Sequence, residues 1–247
     1  MSKAYEEKIS FLRNVIDRSH YMVCLFGVGI SAQCGCINYR DEEASYDIEE
    51  KYGYSPDEMF NVTFFNTRVD QFYEFYKRDM LNNLGTVAEG LSQLRRLEEQ
   101  GKLQSIITRD IYSLPKRAGC KKVYELHGSV YRNYCPHCGR EYPVEYIQNS
   151  QGVPRCESCG VVIRPDVSMV GEIVDNGLIS RAAQEVRKAD TLLVLGCTLK
   201  ASLTNTFLRY FNGDELVLIN SREHFADSKA DLVIHGNPMD ILQDLGI

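Results

Sequence analysis

Four groups of residues in this 247-residue chain have the types and spacing that chemistry uses. The first is the stretch YELHGSV, which places His127 two residues after Glu125 and directly before Gly128. An imidazole with an unperturbed pKa of about 6.5 suits a general base near neutral pH, yet many histidines are simply half-buried polar side chains. The heptapeptide leaves both readings open. The second group is a pair of CxxC knuckles, Cys135 with Cys138 in CPHC and Cys156 with Cys159 in CESC, separated by seventeen residues. That spacing suits a tetrahedral zinc ion held by four thiolates. Such a set closes the coordination sphere and leaves no position for a reacting water, so the ion is expected to be structural and His137 is not needed as a ligand.

The third group is GVGIS, residues 27–31, entered directly from the apolar run YMVCLFG, residues 21–27. A strand, a glycine turn and a helix start can present backbone N–H groups to phosphate, although glycines at strand ends also serve as plain turns. The fourth group consists of TRDIY (108–112), GCT (196–198) and INS (219–221), each at the end of another apolar run.

These groups need elements to position them. LQSIIT (103–108), VYEL (123–126), TLLVLG (191–196), ELVLIN (215–220) and DLVIH (231–235) read as buried strands. Helical patterns alternate with them. Thr86 and Glu89 form a capping-box pattern before Leu91, Leu94 and Leu97, with Gly101 at the far end, which predicts a helix from about 87 to 100. A second amphipathic stretch covers 178–188, and the first twenty residues carry apolar side chains at helical spacing. Strands alternating with helices imply an α/β fold, a parallel sheet covered on both faces with ligands at the carboxyl ends of its strands. All the glycine-rich and polar groups fall at such ends. Residues 43–84 are rich in acids and aromatics, and Phe72, Phe75, Tyr76 and Met80 share one helical face. This segment reads as a helical insertion whose aromatics form core, and 131–165 as the zinc segment.

With 44% hydrophobic and 25% charged residues the composition is that of a globular protein, and no apolar run nears the roughly 20 residues that span a bilayer. No secretory h-region is visible, so nine cysteines imply reduced thiols or metal ligands and a cytoplasmic location. Cys24, Cys34, Cys36, Cys120 and Cys197 lie outside the zinc pattern, and packing is their expected role. A net charge of −6 argues against nucleic-acid binding, and no membrane partner is expected.

Taken in order, the motifs resemble those of the sirtuins, the NAD-dependent protein deacylases, along nearly the whole chain. GVGISAQCGCINYR (27–40) is similar to the family's GAGxSxxSGIPDFR, TRDIYSLPKRAG (108–119) to TQNxDxLHxxAG, and VYELHGS (123–129) to VxELHGS. The two CxxC pairs, RPDVSMVGE (164–172) beside RPxVVxFGE, LGCTL (195–199) beside GTSL, and LVLIN with ADLVIHG follow in the family's order. The resemblance implies a Rossmann-like NAD-binding domain (1–42, 85–130 and 166–247) with a helical module (43–84) and a small zinc module (131–165) inserted. It also implies a reaction in which an acyl-lysine oxygen displaces nicotinamide from the ribose of NAD and the acyl group passes to ADP-ribose. His127 would be the general base toward the ribose hydroxyls, with Asp110 the second catalytic residue.

By the same resemblance the cofactor would meet Gly27, Val28, Gly29 and Ser31, the loop residues Asn38, Tyr39 and Arg40, the segment Thr108, Arg109, Asp110, Ile111 and Tyr112, then Gly196, Cys197, Thr198, Asn220 and Ser221. Arg40 also reads as a surface charge and Asn220 as a strand end. The substrate, an acyl-lysine protein or peptide, would lie as an added strand on Val167, Met169, Val170, Gly171 and Glu172. Departures from the family pattern gather around the nicotinamide. Asp110 stands where the family has asparagine and Tyr112 where it has aspartate; Ile37, Asn38 and Tyr39 replace PDF; Val28 replaces alanine, Pro115 histidine and Val170 phenylalanine. These changes keep two further readings open, an ADP-ribosyltransferase or NAD hydrolase and a non-catalytic NAD-binding module.

Overall fold

Along the first strand Cys24 and Phe26 face one side of the central sheet and Val23 and Leu25 the other, all of them fully buried. A strand buried on both faces requires cover on both, and the computed structural model, which describes residues 3–39 and 41–246, supplies it. Its strands are β1 (Met22–Phe26), β2 (Leu103–Thr108), β3 (Val123–Glu125), β4 (Gly128–Tyr134), β5 (Glu141–Tyr142), β6 (Arg164–Val167), β7 (Thr191–Leu195), β8 (Glu215–Asn220) and β9 (Leu232–His235). Six form a parallel sheet in the order β3-β2-β1-β7-β8-β9. The chain moves outward through β2 and β3 on one side of β1, then restarts at β7 and moves outward on the other. Connections therefore diverge at the β1/β7 boundary, which opens a crevice above the strand ends. This is the Rossmann-like α/β arrangement expected from the sequence.

The helices are α1 (Lys3–Arg18), α2 (Val28–Gln33), α3 (Glu42–Tyr52), α4 (Pro56–Met59), α5 (Val62–Thr67), α6 (Val69–Phe75), α7 (Leu91–Glu99), α8 (Leu114–Arg117), α9 (Val144–Asn149), α10 (Asn176–Lys188), α11 (Ser202–Leu208) and α12 (Pro238–Asp244). Leu12 and Val15 of α1, Leu94 and Leu97 of α7, and Leu242 of α12 close one face of the sheet. Ala182 and Val186 of α10 and Leu203 and Phe207 of α11 close the other. Among the described residues no helix is long and apolar enough to cross a membrane.

Helix α7 departs from its expected start. It begins at Leu91 with Gly90 as its N-cap, and the Thr86/Glu89 capping box does not form. Tertiary ties win over local capping: the Thr86 N–H donates to the Cys34 carbonyl (2.8 Å), and Glu89 accepts from the Gln243 amide (3.2 Å). Gly90 lies so close to α12 that a Cβ there would sit 2.2 Å from the Met239 oxygen. The segment before α7 thus fastens the exit of α2 and helix α12.

Residues 42–83 form a run of short helices, and the expected aromatic face is core: Phe72, Phe75, Tyr76 and Met80 are all fully buried. Phe72 meets Phe65 edge-on at 5.0 Å and stacks on Tyr76 at 5.4 Å. The helix does not stay regular across this face. After Phe75 it widens into a π turn over Tyr76–Met80, which lets Lys77 reach the carbonyls of Ser150 (2.9 Å) and Gly152 (2.7 Å) in the neighbouring small module. In that module β4 pairs antiparallel with both β5 and β6. Its sheet starts at Gly128 and ends at Val167, just beyond the 131–165 limits expected from the cysteines.

Candidate functional site

The crevice owes its shape to glycine. Strand β1 enters Gly27, whose N–H donates to the Leu195 carbonyl at 2.8 Å, and the Gly29 N–H donates to the Gly196 carbonyl at 3.0 Å. A Cβ on Gly27 would lie 2.6 Å from that Gly196 oxygen and one on Gly29 2.5 Å from it, so neither position accepts a side chain. Gly196 turns with φ +64° against Ile30. The result is a cleft of about 410 Å³ at the β1/β7 boundary, with Gly27 and Val28 of the β1–α2 turn on its wall. This cradle and the volume fit a phosphate-bearing dinucleotide such as NAD.

Most of the residues expected to meet the cofactor line that cleft. Gly27, Val28 and Ser31 come from the β1–α2 turn, Asn38 and Tyr39 from the loop after α2, and Arg109, Asp110, Ile111 and Tyr112 from the end of β2. His127 and Cys197 complete the set. Val28 is half-exposed, so its methyls face the cleft rather than crowd a packed core. Gly29, Gly196 and Thr108 stand behind the wall; the Thr108 hydroxyl donates to the Phe26 carbonyl (2.9 Å) and accepts the Asp110 N–H (2.9 Å). Thr198, Asn220 and Ser221 follow β7 and β8 beyond the cleft lining, and the Asn220 amide donates to the Arg222 carbonyl at 2.9 Å. Arg40 lies outside the described residues. The sequence reading missed Phe60 from the insertion and Ser202 from α11, both of which line the cleft. Only tertiary folding brings them there.

His127 occupies the corner between β3 and β4 and is half-buried. Gly128 makes that corner: its φ is +76°, and a Cβ would lie 1.9 Å from the Asp166 oxygen. The His127 carbonyl accepts the Ser168 N–H at 2.9 Å. Two residues earlier Glu125 is buried and gripped by Lys116 (2.8 Å), Arg132 (2.6 Å) and the Ser113 hydroxyl. Burial alone would push its carboxyl up, but Arg132, Lys116 and Ser113 hold it below the usual carboxylate value. Ser113 takes a left-handed φ of +52° and also meets Ser129 at 2.6 Å, so the loops before and after His127 share one buried anchor.

Asp110 is 3% exposed. One oxygen accepts the Ser31 hydroxyl at 2.7 Å and the other the Tyr112 N–H at 3.0 Å; among the described residues no Lys, Arg or His pairs with it. Burial pushes its pKa up to about 6, against the pull of Ser31 and the Tyr112 N–H. The neighbouring Arg109 turns the other way, to the Ser202 hydroxyl and to Thr206 at 3.3 Å. Tyr112 donates its phenol to the Ile37 carbonyl at 3.1 Å and so ties the cleft floor to the loop after α2, while burial drives its pKa well above the ordinary value.

The segment expected to receive peptide is partly engaged. Val170 donates its N–H to the Phe60 carbonyl (2.9 Å) and accepts from Val62 (3.1 Å), so its backbone belongs to the insertion and not to an open edge. The Met169 N–H is held by the Glu172 carboxylate at 2.9 Å, and Gly171 turns with φ +91°. Val167 and Glu172 instead border a groove of about 800 Å³ that reaches Arg132 and Asp166, and Ser168 lines both this groove and the cleft.

The sulfurs of Cys135, Cys138, Cys156 and Cys159 all lie within 4.8 Å of one another, which fits one tetrahedral zinc ion. The Tyr142 hydroxyl donates to the Cys156 sulfur at 3.2 Å, the kind of outer hydrogen bond that steadies a ligating thiolate. His137 is not part of the cluster. Cys24, Cys34, Cys36, Cys120 and Cys197 are buried free thiols.

A Sir2 family model matches residues 27–202 of the chain. The NAD-dependent protein deacetylase of Clostridium acetobutylicum is 36% identical over 229 residues, covering 92% of this chain and 94% of that protein. The enzyme of the same name from Clostridium perfringens is 37% identical, over 93% and 95% of the two chains. Among solved structures, one from work on sirtuin substrate affinity superposes with a TM-score of 0.83 at 30% identity over 96% of each chain. A Sir2 structure with a p53 peptide and NAD+ superposes with a TM-score of 0.78, also at 30% identity, over 96% of this chain and 95% of that one.

Two outcomes follow from the site itself. The purified protein is expected to carry about one zinc per chain, and Cys156→Ser to lose most of it on metal analysis, with a lower unfolding temperature; full zinc content in that variant would contradict the four-thiolate site. Because the folded pKa of Asp110 lies above its unfolded value, ionising it works against folding, and the parent loses stability as pH rises from about 4 through about 6. Asp110→Asn is spared that loss. Its melting temperature relative to the parent should therefore be higher at pH 7.5 than at pH 4.5, and a difference independent of pH would contradict the buried, unpaired carboxylate.

Proposed function

Since the chain belongs to the Sir2 family, we propose that it is an NAD-dependent protein-lysine deacylase, with the β1/β7 cleft as its NAD site and His127 as its general base. The observation that carries this is the placement of His127 and the glycine cradle on walls of one cleft at the boundary where a dinucleotide lies in such folds. NAD, when bound, supplies the activated bond between nicotinamide and ribose. The protein's own residues do the rest. The Gly27 and Gly29 turn receives the pyrophosphate against backbone, with Ser31, Asn38, Tyr39, Arg109, Ile111, Tyr112 and Cys197 around the reacting half. Gly196, Thr198, Asn220 and Ser221 continue toward the adenosine half, and Arg40 belongs to the same cofactor set.

The His127 imidazole accepts a proton from a ribose hydroxyl as the acyl group is transferred to ADP-ribose. Its reach is set by the Gly128 corner and the Glu125 anchor, so the ring meets a fixed sugar rather than searching for one. The acyl-lysine peptide approaches along Val167, Ser168 and the groove beside Glu172, and Val170 belongs to the same substrate set. One zinc ion on the four cysteines holds the small module together. We assign residues 1–42, 85–130 and 166–247 to the NAD-binding domain, 43–84 to the helical module and 131–165 to the zinc module. The cytoplasm is the compartment this reading assigns, because free NAD and reduced thiols are both required there.

A second reading, NAD hydrolysis or ADP-ribosyl transfer, draws on one observation, the Asp110 carboxylate in the cleft. Nicotinamide release from NAD with acetyl-, succinyl-, lactyl- and long-chain acyl-lysine peptides, beside a peptide-free control, separates the two. Peptide-dependent release is the expected result, and His127→Ala should slow it by roughly a hundredfold or more. Equal rates in parent and variant would remove the catalytic role of His127, and release that ignores peptide would favour hydrolysis.

A further inference from the structure

On the reading above that this cleft holds NAD, and resting on it, we propose that Asp110 makes the site selective for the oxidised dinucleotide. Its carboxylate acts as the counter-charge to the pyridinium ring of NAD+, a charge that the dihydropyridine ring of NADH lacks.

Position comes first. A dinucleotide laid across the β1/β7 boundary has one half over β2 and β3 and the other over β7 and β8. His127, which must meet the sugar that reacts, follows β3, so the nicotinamide half lies on the β2–β3 side. Asp110 follows β2 on that same side and lines the cleft with His127.

Charge comes second. Among the described residues Asp110 is the one carboxylate of the cleft lining, and the other ionisable groups there are Tyr39, Arg109, Tyr112, His127 and Cys197. Ser31 and the Tyr112 N–H satisfy its oxygens as neutral donors, but neither offers a positive charge. Arg109, adjacent in sequence, is held against the opposite wall by Ser202 and Thr206. A buried anion without a counter-ion is in an unfavourable state that an arriving cation relieves, and the attraction is strong because little water intervenes. Burial lifts the carboxyl only to about 6, so at pH 7.5 it is ionised and ready for that cation.

NAD+ and NADH share the whole ADP-ribose moiety, so most contacts with the protein cancel between them and the ring's charge stands out. An asparagine at 110 would keep a hydrogen-bonding amide of nearly the same shape and lose the charge. Selectivity should therefore depend on the carboxylate rather than on the fit of the pocket.

Calorimetric titration of the zinc-loaded protein at pH 7.5 with NAD+, NADH and ADP-ribose tests this. The parent is expected to bind NAD+ about thirtyfold tighter than NADH or better, and Asp110→Asn to cut that preference about tenfold, equivalent to about 1.4 kcal/mol. ADP-ribose should bind parent and variant alike, which reports an intact cleft; if Asp110→Asn loses ADP-ribose binding, the smaller Asp110→Ser carries the same comparison. Equal affinities of the parent for NAD+ and NADH, or an unchanged preference in a variant that still binds ADP-ribose, would overturn the role of Asp110 and leave the NAD site standing. Failure of the parent to bind NAD+ or ADP-ribose would overturn both.

Discussion

Gly27 and Gly29 approach the Gly196 carbonyl so closely that a methyl group at either position would overlap it, at 2.6 and 2.5 Å. That contact brings the start of α2 down onto the end of β7, and the rest of the site takes its place from there. Ser31, on the first turn and a half of α2, is thereby set over Asp110 at 2.7 Å, although 79 positions separate them in the chain. The same approach seats the β1–α2 turn at the β1/β7 boundary, where diverging connections already open the sheet. A cleft made this way is largely preformed. Its walls are strand ends and the loops that follow them, and its position depends on sheet register.

His127 is fixed from two directions. On the β3 side Glu125 is anchored by Lys116, Arg132 and Ser113, a buried carboxylate whose partners outweigh the cost of removing it from water. On the other side β4 runs from Gly128 directly to Tyr134, the residue before Cys135. The strand that leaves the histidine therefore ends at the first zinc ligand. A four-thiolate ion that does no chemistry still bears on catalysis, since loss of the knuckles would free the far end of the strand that begins beside His127. Arg132, on β4 between them, joins the Glu125 anchor to Asp166 on β6 at 2.7 Å and binds the two arrangements together.

Much of this was legible from residue pattern. The six parallel strands appear as short apolar runs because both faces are covered, and the zinc site appears because two CxxC pairs at knuckle spacing are a ligand pattern for a tetrahedral ion. His127 and the β1–α2 turn lie next to their strands, so local motifs locate them. What escaped depends on distant contacts. The Thr86/Glu89 pattern is a sound local cap, yet the chain gives Thr86 to Cys34 and Glu89 to Gln243, residues no local window contains. Phe60 and Ser202 reach the cleft from an insertion and from a helix that the pattern did not reveal. Val170 looked free to receive a peptide, but Phe60 and Val62 occupy its backbone. The replacement of asparagine by Asp110 was visible as a change of charge. That the charge would be buried with no cation beside it among the described residues was not, because it depends on Arg109 turning away.

His127 can serve as the base only where the cleft holds a dinucleotide with its reacting sugar beside the ring. A crystal structure of the zinc-loaded protein with ADP-ribose bound tests that most directly. The pyrophosphate should lie on the Gly27–Gly29 turn, with the distal ribose hydroxyls within hydrogen-bonding reach of the His127 ring. A distal ribose turned away from that ring, or ADP-ribose seated anywhere other than the β1/β7 boundary, would contradict it.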